Sequence, residues 1–267
     1  MIRILMYHAF LLLFLSIPYQ ACALFSFKDM ANWMAGNKQE TLHKEFSCPH
    51  ECTLSVENHY GSIYIKSWAL SKIMLQATKT AKDKDLDCVP FETEVTKDTI
   101  SITTQLDAKK TKQALDYYIM VPEHVCLKLA TKQGTIKVKN VPTSIHAKVH
   151  SGSIEIHDAR GNLFLKNENG TIVVSMRELP ATTHLMLEAH GALTLSLPLG
   201  ANADISAKAT NGTITSDHYV TFKPFTTKLN QQAWSAFKRD INAYIGKDGG
   251  AEIKLLATNG HIKILEY

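Results

Sequence analysis

From about residue 53 onward the chain alternates apolar and polar residues, and the alternation is broken at short intervals by a polar residue, a glycine and a small residue. The break recurs as Tyr60-Gly61-Ser62-Ile63, Gln133-Gly134-Thr135-Ile136, Ser151-Gly152-Ser153-Ile154, Asn169-Gly170-Thr171-Ile172, His190-Gly191-Ala192-Leu193, Asn211-Gly212-Thr213-Ile214 and Asn259-Gly260-His261-Ile262. From Gly134 through Gly152, Gly170 and Gly191 to Gly212 the steps are 18, 18, 21 and 21 residues. Self-similarity at such a period marks a repeat architecture. Between the breaks the period is 2, which is the mark of a strand with one buried face. Ile154 and Ile156 share a face, as do Leu163 and Leu165 beyond a turn at Ala159-Arg160-Gly161. Leu193, Leu195 and Leu197 repeat the pattern, followed past Pro198-Leu199-Gly200 by Ile205, Ala207 and Ala209.

The pattern predicts an all-β, single-domain parallel β-solenoid (a β-helix) with coils of 18 to 21 residues, inward residues of one coil stacking on those of the next. Gly61, Gly134, Gly152, Gly161, Gly170, Gly191, Gly212 and Gly260 are its expected structural turns, because a chain that reverses within one or two residues favours glycine. Asn-Gly between alternating strands is also a hairpin signal, so an antiparallel sandwich is the competing reading. Recurrence at 18 to 21 residues favours the solenoid. A bulge is expected at Glu188-Ala189-His190.

One stretch departs from this rhythm. Within an insert at 218–250, Leu229, Ala233, Trp234, Phe237, Ile241, Tyr244 and Ile245 recur at spacings of 3 and 4, which predicts one short amphipathic α-helix over about 226–246. Thr226 or Thr227 would cap its start and Gly246 would end it. Its stripe would pack on the solenoid or cover an open end, with a membrane-surface or partner-binding helix as the alternative.

The first 23 residues read as a secretory signal peptide, with Arg3 as the charged start, Ala9 to Ile17 as the apolar region and Ala21-Cys22-Ala23 as the cleavage site. The domain plan is thus a signal peptide at 1–23, a linker at 24–44 and the solenoid at 45–267. No later apolar stretch is long enough for a transmembrane segment. The expected location is the periplasm, the cell surface or the extracellular space. A lipoprotein anchored through Cys22 is the alternative, although Tyr19 and Gln20 fit a lipidation motif poorly.

Export puts Cys48, Cys52, Cys88 and Cys126 in an oxidising compartment and makes them disulfide candidates with three possible pairings. A bridge closing the Cys48-Pro-His-Glu-Cys52 turn is favoured, leaving Cys88 with Cys126. His43 and His50 give the same turn a superficial likeness to a metal site. Zinc motifs come as paired clusters and no second cluster exists, so no metal is expected.

Of 267 residues, 45% are hydrophobic and 20% charged, with a net charge of +4 at pH 7. That composition supports a sizeable core and argues against disorder. No basic run gathers the charge, so nucleic acid is not an expected partner.

Thr53-Leu-Ser-Val-Glu-Asn-His-Tyr-Gly-Ser-Ile-Tyr-Ile-Lys-Ser-Trp68, Tyr118-Ile-Met-Val-Pro122, the repeated Gly-[Ser/Thr]-Ile strands and Leu195-Ser-Leu-Pro198 resemble the bacterial putative adhesin family of unknown function, whose relatives include head domains with Gly-Ile-Asn-type repeats. The resemblance covers about 45–217 and resumes at 251–267. It implies an exported, repetitive β-solenoid offering a surface for binding or scaffolding. The Cys48 to Cys52 turn and the insert at 218–250 depart from the family pattern.

Catalytic constellations are absent from the sequence: it has no Gly-x-Ser-x-Gly elbow, Walker loop, dinucleotide fingerprint or His-Glu-x-x-His. No catalytic residue and no cofactor is expected. On the first strands of the coils the outward residues are Lys137 and Lys139, Glu155 and His157, Val173 and Ser175, then Thr194 and Ser196, and no two carboxylates meet among them. Histidine is enriched elsewhere. His146, Lys148 and His150 sit outward on one strand, with Phe164, Lys166 and Glu168 between them and the coil that carries His184 and His190. The expected function is non-enzymatic, a surface for an unidentified ligand such as a glycan or an envelope component. A carbohydrate-active β-helix enzyme and a purely structural envelope component are the alternatives.

Overall fold

The computed structural model describes residues 38–48, 50–81, 91–104, 113–223, 239–247 and 249–267, and these are all-β, with nineteen strands and no helix. The N-terminal strands are β1 (Lys38–Ser47), β2 (Thr53–Tyr60), β3 (Ile63–Trp68), β4 (Lys72–Ala81), β5 (Phe91–Val95), β6 (Thr99–Thr104) and β7 (Gln113–Pro122). Then come β8 (Cys126–Lys139), β9 (Ile145–Ala159), β10 (Leu163–Asn167), β11 (Gly170–Met176), β12 (His184–Ala189) and β13 (Leu193–Leu197). The last are β14 (Ala203–Ala209), β15 (Ile214–Ser216), β16 (Val220–Phe222), β17 (Asp240–Ile245), β18 (Ala251–Ala257) and β19 (Ile262–Glu266). β1 begins inside the segment expected as a linker at 24–44. The segment expected as a signal peptide lies outside the described residues.

The strands pair in two rows. One runs β6, β2, the first half of β8, the first half of β9, β10, β12, β18, β14, each parallel to the next. The other runs β7, β3, the second halves of β8 and β9, β11, β13, β19, β15, again parallel. Antiparallel strands join at both ends: β1 on β4, β4 on β7 and β5 on β6 at one, β17 on β14 and β16 on β17 at the other. The sheet is therefore mixed, where a uniformly parallel coil was expected. A terminal strand leaves one side of its backbone unpaired, and a neighbouring segment lying antiparallel can pair it without a long crossover.

The stacking order also differs from chain order. The strands β18 and β19, residues 251–266, lie between the β12/β13 and β14/β15 levels. At the other end β2 and β3 lie between the β6/β7 level and β8. Any segment with the right inward period can sit on any other, so periodicity does not choose the neighbour.

Inward side chains of both rows form one core, including Ile154, Ile156, Leu163, Leu165, Leu193, Leu195, Leu197, Ile205, Ala207 and Ala209. Each Leu or Ile so placed removes apolar surface worth about 1.5 to 3 kcal/mol. The corner glycines stack into a column. A Cβ on Gly134 would meet the Gly61 carbonyl, one on Gly152 the Gly134 carbonyl, and one on Gly170 the Gly152 carbonyl. The column goes on through Gly191, then Gly260, then Gly212, repeating the strand order above. Gly161 stands at the opposite corner, against Thr143.

Inside the column's corner three polar residues are buried in one row, Asn58, Thr131 and Asn167, related through β8, β9 and β10. Asn167 Nδ2 donates to the carbonyls of Gly152 (2.9 Å) and Thr171 (3.0 Å), and its Oδ1 accepts from the Asn169 amide (3.2 Å). Asn58 donates to the Leu115 carbonyl and accepts from Thr104, whose hydroxyl also contacts that of Tyr117 at 2.7 Å. Burial raises the Tyr117 pKa well above its ordinary value.

The part of 226–246 that lies among the described residues, 239–246, contains no helix. Residues 240–245 of that segment are the strand β17, and Leu229, Ala233, Trp234 and Phe237 lie outside the described residues. Asp-Ile-Asn-Ala-Tyr-Ile satisfies both periods: Ile241 and Ile245 are four apart, as on a helix face, and of one parity, as on a strand. Burial of Ile241, Ala243 and Ile245 shows the strand reading. Gly246, at φ 72°, ends a strand and not a helix. The expected bulge at 188–190 is also absent, since Leu185, Leu187, Ala189 and Leu193 keep one inward parity. A register shift occurs instead where Val174 and Met176 face Ile156 and Ala159.

Candidate binding face

Outward positions of the row containing β8, β9, β10, β12, β18 and β14 are held in register by its parallel ladders. One line of partners reads Lys128, His146, Phe164, Met186, Lys254, Ser206. Phe164 and Met186 are 37% and 45% exposed, unusual for such side chains, and the His146 ring stacks on Phe164 with centroids 4.5 Å apart and planes 19° from parallel. They make a flat apolar strip with charge on either side.

The neighbouring line carries Lys148, Lys166 and Glu188, with Glu168 and His150 beyond it. Glu168 binds Lys148 and His150, each at 2.7 Å, and Lys166 binds Glu188 at 2.8 Å. The Lys148 and then the His150 hydrogen bonds pull the Glu168 pKa down to about 2. Farther along, His190 Nε2 lies 2.7 Å from Asn259, which accepts from Asn211 at 2.7 Å. His146, Lys148, His150, Phe164, Lys166, Glu168, His184 and His190 thus lie on one outer face.

On the strip's other side, towards the strand starts, is a groove of about 610 Å³ walled by His184, Asp204, Ser206, Lys223, Glu252 and Lys254. The register makes His184, Glu252 and Asp204 successive neighbours on β12, β18 and β14. His184 lies 3.1 Å from Glu252 and Lys223 3.2 Å from Asp204, whose Oδ1 is buried without a hydrogen-bond donor among the described residues. Two carboxylates therefore meet, though on the second strands and not the first. Coils stacked in chain order seat Glu252 beside Asp204 but leave it away from His184. The signal was present in the matched segments Ala203-Asp-Ile-Ser-Ala and Ala251-Glu-Ile-Lys-Leu, which share parity and an acid at the second position.

The opposite row's outer face pairs Lys137 with Glu155 at 2.7 Å and brings His157 to 3.8 Å from Glu155. The Lys137 hydrogen bond is the main cause that lowers the Glu155 pKa. Ser175, expected outward, is buried and accepts a hydrogen bond from the Asp158 amide.

Cys48 and Cys52 are bridged. Cys126 is a free, exposed thiol among the described residues, and Cys88, its expected partner, lies outside them. Its backbone aligns with Thr53 on the edge of the turn, with the side chain outward. No group of His, Cys, Asp and Glu among the described residues is arranged to hold a metal ion, and no helix long and apolar enough to cross a membrane is found among them.

No protein family matches the chain, and no curated protein does. Solved structures do. A "putative cell adhesion protein" from Clostridium sporogenes is 12% identical, with a TM-score of 0.47 over 86% of this chain and 100% of that one. A "putative adhesin" from Bacteroides fragilis is 12% identical, with a TM-score of 0.38 over 85% and 97%. A third, from Parabacteroides distasonis, is 8% identical, with a TM-score of 0.25 over 85% and 97%.

Proposed function

We propose that the chain is an exported, non-enzymatic protein of the cell envelope or surface whose strands form a solenoid that holds a glycan on the His146–Phe164–Met186 face. One observation carries this reading: an exposed, in-register apolar strip lies between ion pairs and a polar groove, the arrangement that suits a ligand with an apolar sugar face and hydroxyl edges. The resemblance of the repeated strands to adhesin sequences supports it. The Cys48–Cys52 bridge fits an oxidising compartment, and with it a cleaved signal peptide at 1–23 or an anchor at Cys22.

The test is calorimetric titration of the purified chain with fractionated envelope and host-surface polysaccharides. Truncation of aromatic anchors at an interface costs 1 to 2 kcal/mol or more, so Phe164→Ala should weaken binding roughly tenfold with the fold intact. Unchanged affinity would reject the face. A second reading rests on Asp204 and Glu252: paired carboxylates are the equipment of glycoside hydrolysis. Release of reducing ends that Glu252→Gln abolishes would favour that enzyme. Retention in the envelope with no ligand at all would favour a purely structural component.

A further inference from the structure

The turn between β1 and β2 has features that stapling does not explain. Its bridge closes a loop with only four residues of separation, and short loops gain least from closure. The flanks are held already, β1 by β4 and β2 by β6 and β8. The two sulfurs are in different surroundings. Cys48 is 2% exposed and belongs to the core cluster, whereas Cys52 is half-buried at its margin. His124, half-buried in the turn between β7 and β8, donates from Nε2 to the Cys48 carbonyl at 3.0 Å, and the same Nε2 lies 3.6 Å from Cys48 Sγ. A cleft of about 90 Å³ opens on the bridge, lined by His50, Lys97, Asp98 and Thr99 as well as by both cysteines.

We propose that Cys48–Cys52 is a dithiol–disulfide exchange site, in which Cys52 is attacked by the thiolate of a partner protein's dithiol and Cys48 leaves toward His124. In the first step the partner's thiolate sulfur bonds to Cys52 Sγ and the Cys48–Cys52 bond breaks. Its electron pair goes to Cys48, and the His124 Nε2–H turns from the carbonyl to the new thiolate. Leaving-group stabilisation of this kind speeds exchange. In the second step the partner's other thiolate attacks its own sulfur in the mixed disulfide, so the partner forms its disulfide and Cys52 departs as a thiolate. Two protons lost by the partner's thiols return through water to Cys48 and Cys52, and two electrons have passed from partner to this chain.

The experiment uses the full-length chain carrying Cys126→Ser, which removes the exposed thiol of the residue whose amide bonds the Cys52 carbonyl at 3.0 Å, with dithiothreitol as the dithiol. Alkylation and peptide mass spectrometry follow the bridge while circular dichroism follows the fold. Reduction with the fold retained is the expected result, at least tenfold slower in His124→Ala and restored toward the original rate by His124→Gln, which keeps an N–H donor. Paired variants test the assignment of the sulfurs without His124. Cys48→Ser should capture glutathione disulfide at Cys52 at least tenfold faster than Cys52→Ser captures it at Cys48. A bridge that is reduced only when denaturant unfolds the chain, equal rates in His124→Ala and the parent, or equal capture at the two cysteines would overturn the proposal.

Discussion

Replacing Gly170 by alanine tests the corner column where it is tightest. Gly170 has φ 150°, and an added Cβ would lie against the Gly152 carbonyl and 3.1 Å from Asn167 Nδ2. The backbone conformation costs about 1 to 3 kcal/mol for a residue with a side chain. Relief of the overlap must displace either a strand or the Asn167 amide, and the displaced amide, on a side chain only 1% exposed, loses its Gly152 acceptor, at about 1 to 3 kcal/mol. The two together come to roughly 2 to 6 kcal/mol. Gly200 is the internal comparison. It too has positive φ, 75°, but nothing lies within 4 Å of its added Cβ, so Gly200→Ala should cost only about 1 to 2 kcal/mol. Urea unfolding of both variants, followed by circular dichroism with the m-value checked for constancy, gives the comparison. If Gly170→Ala loses no more than Gly200→Ala, close approach of successive corners is not what selects glycine there.

Asn167→Ala should destabilise by about 2 to 4 kcal/mol, because it leaves the carbonyls of Gly152 and Thr171 without their side-chain donor; a thermal-melting loss no larger than that of an exposed alanine variant would contradict the corner network. Leu165→Ala should cost about 2 to 5 kcal/mol as a core truncation, while Lys166→Ala next to it leaves the urea midpoint nearly unchanged. The Glu168 carboxyl should titrate by NMR near pH 2, below its usual 4.5, and Lys148→Ala should bring it back upward. Since its folded pKa is the depressed one, the stabilising contribution is complete above the usual value and is lost as the pH falls from there toward 2; a midpoint above 4 would refute the bridge.

Corner glycines and inward residues were legible because each is a local demand: a turn that rejects Cβ, or a strand with one buried face. Neighbour choice was not local. The segments at 185–189, 203–209 and 251–257 carry the same inward period, so nothing in the pattern says which two touch. The candidate groove was lost with it, because Glu252 meets His184 as well as Asp204 only when 251–257 sits between the other two. Residues 240–245 went wrong for a related reason, as Ile241 and Ile245 serve a helix face and a strand face alike, and the antiparallel seat on β14 decided between them.

The seating of β18 and β19 between earlier levels has a consequence for the order in which the molecule can be built. A stack that grows as the chain emerges adds each level to the one before it, and β2 to β13 could assemble largely in this way. Residues 203–216 cannot follow, because the surface that receives them is made by residues 251–266, which emerge later. Residues 203–216 must wait, and one late step then inserts one level and closes another over it. Such a chain stays unfinished at one end until synthesis or translocation has delivered residue 266, and losing 251–266 would remove a middle course of the wall, not its last.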